Sequence, residues 1–146
     1  MAILQLQMVV DQYSDSTQRT RREFLDFVID GISLYALCKQ EGVENISCLW
    51  QPDVYKPAIE RLLLQREPDL PDNHYSLYVC AECGDIGCGA ISVRIEQKQN
   101  RIIWRDFLYQ NNYDESVTFK PKSFDRVDPS SFEIEAYRAL LLPFLK

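Results

Sequence analysis

Cys80, Cys83 and Cys88 fall within nine positions of the stretch YVCAECGDIGCGAISV (78–93), and the chain holds five cysteines in all. Cys80 and Cys83 have the C-x2-C spacing of a knuckle that turns both thiolates onto one metal ion. Cys88 adds a third sulfur, and a structural zinc site wants a fourth ligand. The only histidine, His74, would make a Cys3His set, but a strand between it and Cys80 would carry it away from the turn. Nothing in the local sequence marks Cys38 or Cys48 as a substitute. The competing reading is a β-hairpin with free thiols. Gly84, Asp85, Ile86 and Gly87 would connect its strands, with glycines where positive φ is needed. A third reading is redox or thiol chemistry, which needs a low-pKa cysteine beside a base. His74 and Arg94 are the local candidates for that neighbour. The hairpin is the expected reading, with no resident cofactor, zinc as its rival and a thiol-dependent enzyme behind both.

The segment YQNNYDE gathers two aromatics, three amides and two carboxylates. Tyr109, Asn111, Asn112, Tyr113, Asp114 and Glu115 are residue types that make adaptable contacts in binding surfaces. An ordinary turn uses the same residues, because Asn and Asp accept left-handed backbone and bond to it locally. Asp106, in WRDF, is expected to pair with Arg94 or Arg105 on a polar face. Arg19, Arg21 and Arg22 read as solubilising or acid-paired. The sequence contains no G-x-S-x-G, no phosphate-cradling glycine loop and no H-E-x-x-H. His74, in PDNHYS, is expected in an exposed loop.

These residues sit in a chain of 146 with 46% hydrophobic residues, the scale of one compact domain over 1–146. The formal net charge is -6. An acidic surface repels phosphate backbones, so no nucleic-acid partner is expected, and a basic protein would be drawn to it. The same balance also serves solubility alone. No apolar run is long enough to span a bilayer, and the N-terminus lacks the basic and small-residue flanks of a signal peptide. The expected location is therefore the cytoplasm, with reduced thiols.

Period-two alternation marks a first strand, with Leu4, Leu6, Met8 and Val10 on one face. DQYSDSTQRTRR (11–22) reads as a loop, and REFLDFVIDG as a second strand with Leu25, Phe27 and Ile29 opposite Asp26, Val28 and Asp30. Asp30-Gly31 signals a turn. Ser33 is placed to cap a short helix that buries Leu34, Leu37 and Cys38 and stops at Gly42. A second helix is expected from about Asp53 to Gln65. A meander around 75–125 follows: a strand near Tyr75–Cys80 with Leu77 and Val79 on one face, a strand through Ile91, Val93 and Ile95, the strand RIIWRDFLY, and VTFKPKSF as a fourth, broken or at an edge because of Pro121. In RIIWRDFLY both faces are partly apolar, which leaves its core face open. A C-terminal helix, capped by Asp128 with Pro129 in its first turn, would carry a stripe of Phe132, Tyr137, Leu140, Leu141 and Phe144. The expected fold is a single α+β domain, mainly antiparallel sheet, with two or three helices.

The stretch LYVCAECGDIGCGAISVRI (77–95) resembles a hairpin of the form L-x-V-C-x-x-C-G-D-x-G-C-G-x-x-x-V-R-I, found in a group of uncharacterised bacterial proteins. In that group a V-x-W-x-D-F strand follows, here IIWRDF (102–107), and then a late F-x-F and Tyr segment, here within 119–141. DGISLYALC gives a looser match in the N-terminal half. The resemblance implies a small cytosolic α+β protein and assigns no activity. In type rather than motif, a small, acidic, aromatic-rich chain is also similar to immunity proteins that neutralise interbacterial toxins. That likeness implies a non-enzymatic module whose partner is a protein, such as a basic toxin domain.

Overall fold

A computed structural model describes residues 1–14, 19–43, 45–80, 89–110 and 118–145. The alternating N-terminal segment is β1 (Leu4–Ser14), paired antiparallel with β2 (Arg19–Ile29) in one unbroken register from Leu4↔Ile29 to Ser14↔Arg19. The expectation of a loop over 11–22 is therefore corrected: both strands run through most of it. Strand alternation of apolar and polar residues is the sequence signal of a half-buried strand, and DQYSDSTQRTRR carries no such alternation. Asp30 and Gly31 take positive φ (51° and 81°), the turn that matches strand twist, and lead into β3 (Ile32–Ser33).

Ser33 caps α1 (Leu34–Gln40), its hydroxyl accepting from the Ala36 N–H, and Leu34, Leu37 and Cys38 are buried. The helix stops at Gly42, which has φ +71°. After β4 (Asn45–Ser47), α2 (Pro52–Leu62) opens on a proline, whose missing N–H costs nothing in the first turn.

The rest of the chain builds β5 (His74–Cys80), β6 (Ala90–Lys98), β7 (Arg101–Gln110) and β8 (Ser130–Glu133). They lie in the order β4-β5-β6-β7-β8, a five-stranded sheet beside the three-stranded β1-β2-β3, and every pairing is antiparallel. VTFKPKSF is not the fourth strand of the meander. Phe119 makes a single bridge to Tyr109, and Lys122–Arg126 forms a 3₁₀ helix that starts after Pro121, which has no N–H for a ladder. The strand beside β7 is instead β8, which includes Phe132. Asp128 and Pro129 precede that strand, and the C-terminal helix α3 (Ile134–Leu141) begins later, capped by the Glu133 carboxylate on the Ala136 N–H.

The two sheets curl around a common core. On one side the Ala2 N–H donates to the Ser131 carbonyl; on the other the Leu25 N–H donates to the Leu49 carbonyl. Trp104 sits at the centre, fully buried, with Phe27, Phe132 and Tyr137 edge-on around it. The fold is α+β: among the described residues, a curled antiparallel sheet with three α-helices, one of them C-terminal. Among the described residues no helix is long and apolar enough to cross a membrane.

Candidate binding end of the five-stranded sheet

Strand pairing aligns Cys80 with Asn45, Val79 with Ala90, and Ala90 with Gln110. The chain therefore leaves β5 at Cys80, returns at Ala90, and leaves β7 at Gln110, all at one end of the sheet. Both segments that the sequence marks, the cysteine run and YQNNYDE, are anchored in this row. Of the candidate residues in these two segments, Cys80 and Tyr109 are described. Cys83 and Cys88, together with Asn111, Asn112, Tyr113, Asp114 and Glu115, lie outside the described residues.

Tyr109 is tied into the row by packing. It pairs with Ile91, exchanges backbone hydrogen bonds with Phe119, and stacks on the Phe119 ring at 5.0 Å. Its hydroxyl end lies over Gly89, 2.1 Å from where a Cβ would stand, and Gly89 has φ +115°. Only glycine gives both the clearance and the backbone angle there. Phe119 keeps 43% of its surface exposed. Behind it, Ser92 donates to Gln110 Oε1 at 2.5 Å, and both residues are buried.

His74 stands at the opposite end of β5 from Cys80, about 20 Å along an extended strand. That separation puts the two outside the reach of one ion. The expectation of an exposed loop histidine is corrected, since His74 is 1% exposed. Its Nδ1 lies 3.0 Å from the Asp72 carbonyl oxygen and its Nε2 3.0 Å from that of Asp106. Both carbonyls belong to residues with positive φ, 61° at Asp72 and 58° at Asp106, so the ring fastens a turn to a bulge. Among the described residues no group of three or more His, Cys, Asp or Glu is placed to hold a metal. Burial pushes the Cys38 thiol well above its ordinary range, with Asp26 adding to the shift, and pushes Cys48 up to about 12. Thiols so disposed are poor nucleophiles at neutral pH.

Two polar networks go beyond what the sequence marks. Asp26 was expected on the polar face of its strand, yet it is 1% exposed. Its carboxylate accepts from the Tyr78 and Ser33 hydroxyls at 2.5 and 2.6 Å and from the Tyr35 N–H at 3.1 Å, joining β2, β5 and α1. The second network surrounds the bulge in β7. Asp106 pairs with Arg94 at 3.2 Å, and the Asp128 carboxylate accepts the N–H groups of Asp106 and Phe107, each at 3.0 Å. The Asp106–Arg94 pair is the one that the sequence leads one to expect, whereas no sequence signal marks Asp128 as the acceptor at the bulge or Asp26 as buried. Comparison with protein-family models, characterised proteins and solved structures finds no match to this chain.

Proposed function

We propose that this chain is a non-enzymatic protein-binding module that engages a basic protein surface, in the manner of an immunity protein covering a toxin's active surface. The observation that carries this reading is that the described residues next to both marked segments, Cys80, Ala90 and Gln110, lie at one sheet end, where the partly exposed Phe119 bridges to Tyr109. A net charge of -6 would speed encounter with a basic partner, and aromatic contact would then hold the complex. The mechanism is occlusion, so it asks for no catalytic group.

The test is capture of partners from the source cell on the immobilised full chain, followed by assay of each partner's own activity with purified chain added. A basic partner whose activity falls as the chain is titrated in, with affinity weakened by salt, supports the reading. Partners whose activities are unaffected at saturating chain would reject it.

A further inference from the structure

Three segments meet where the two sheets join, and hydrogen bonds hold each of them in place. The Ala2 N–H donates to the Ser131 carbonyl of β8 at 2.8 Å. The Ile3 N–H donates to Asp30 Oδ1 at 2.8 Å, and the Asp30 N–H donates back to the Ile3 carbonyl at 2.9 Å. The Ser130 hydroxyl donates to the Val127 carbonyl at 2.5 Å. A cavity of about 370 Å³ lies between these segments, and its lining includes Ile29, Asp30, Ile32, Arg126, Val127 and Ser131. That volume falls in the range of small-molecule sites, and walls already held by hydrogen bonds need little ordering on binding.

The polar groups of this lining are uncommitted. Among the described residues the Arg126 guanidinium makes no hydrogen bond and no ion pair, and the Asp30 carboxylate engages Oδ1 alone. The two opposite charges share one cavity yet stand too far apart to pair with each other. The Ser131 hydroxyl is buried and has no partner. Held by no bond, it can turn about its Cα–Cβ axis toward an acceptor in the cavity.

We propose that this cavity binds a free α-amino acid with an aliphatic side chain. The ligand's carboxylate complements Arg126 and the Ser131 hydroxyl, its ammonium complements Asp30, and its side chain complements Ile29, Ile32 and Val127. A simple anion would meet repulsion from Asp30 and a simple cation repulsion from Arg126, so the two charges together select a zwitterion. Ser131 pairs with Ile103, toward the opposite end of β7 from Gln110, so the cavity is separate from the candidate binding end. The inference is therefore independent of the proposed function.

Titration of the isotopically labelled full chain with L-leucine and L-valine in turn, followed by two-dimensional NMR, tests it. Saturable shifts are expected at the backbone N–H groups of Ile32, Val127 and Ser131. Isocaproate, which lacks the ammonium, and isoamylamine, which lacks the carboxylate, should bind about tenfold or more weaker. Asp30→Asn keeps Oδ1 for the Ile3 N–H and removes only the charge. It and Arg126→Gln should each weaken binding by a similar factor while leaving the rest of the spectrum unchanged. Shifts that saturate with neither amino acid, or an affinity that either analogue matches or that neither variant weakens, would overturn the inference.

Discussion

The Tyr78 hydroxyl donates to Asp26 Oδ1 at 2.5 Å, both residues being buried, and this contact joins the two sheets. Tyr78 lies on β5 and Asp26 on β2, 52 residues apart in sequence. The carboxylate is compensated by three donors, so its burial is tolerable only while they remain. Tyr78→Phe should cost about 1–3 kcal/mol, the range for losing a bond to a buried charge. Asp26→Ala should cost more, about 3 kcal/mol or more, because it leaves three buried or half-buried donors without their shared acceptor. Urea unfolding of both single variants and the double variant measures the coupling. Additive losses would show that the contact contributes nothing to stability.

Alkaline pH should weaken the fold in a defined window. Burial raises Tyr78 and Tyr137 well above the ordinary tyrosine range, and Cys38 and Cys48 above that of a free thiol. Each group keeps its proton in the folded state at a pH where the unfolded chain releases it. The unfolded state then binds fewer protons, so stability falls with rising pH. The loss should begin near pH 8.5–9 through the thiols and steepen near 10 through the tyrosines, each group adding a slope of about 1.4 kcal/mol per pH unit. Urea midpoints between pH 7.5 and 11 check this, and Cys48→Ala should flatten the first part of the curve. Constant stability to pH 11 would contradict it.

Much of the architecture was legible because local signals agreed with one another. The Ser33 cap, the Asp30-Gly31 turn and the alternation of Ile91, Val93 and Ile95 each specify one geometry, and the structure adopts it. The core face of β7 was not legible, and Asp106 is the reason. Ile102 and Trp104 are buried in one phase and Phe107 in the other, because the bulge at Asp106 inserts a residue between them. A strand whose phase changes midway looks apolar on both faces. β5 misled in the same way: the register shifts between Ser76 and Tyr78, so Leu77 and Tyr78 join the main core while Val79 packs with Phe24 and Ile46. Buried Asp26 and His74 stayed hidden because their partners are remote residues or backbone carbonyls.

At the candidate binding end, Gly89→Ala should be severely destabilising for two separable reasons. The new Cβ would meet the Tyr109 hydroxyl at 2.1 Å, and φ +115° is disfavoured for any side chain. Adding Tyr109→Ala removes the clash and leaves the backbone cost of about 1–3 kcal/mol. The double variant should therefore be less destabilised than the sum of the two singles, by more than about 1 kcal/mol, as expected for residues in contact. Thermal unfolding of the four proteins measures this. Simple additivity would mean that the ring moves aside freely and does not hold Gly89 in place.

The bulge itself supplies the last prediction. Asp128 holds it from one side through the N–H groups of Asp106 and Phe107, and His74 holds it from the other through the Asp106 carbonyl. Asp128→Asn keeps the shape but accepts with one oxygen and no charge, so it should cost about 1–2 kcal/mol; Asp128→Ala leaves two N–H groups without their acceptor and should cost about 3 kcal/mol or more. The bulge also sets the phase in which Leu108, Tyr109 and Gln110 arrive at the sheet end, so its loosening should be felt there. Hydrogen exchange should accelerate at Asp106 and Phe107 in both variants, and at Tyr109, whose N–H donates to Phe119, in Asp128→Ala. If exchange at Tyr109 is unchanged in a folded Asp128→Ala protein, the sheet end is positioned by Phe119 and Gly89 alone, and the bulge acts on stability without reaching the candidate site.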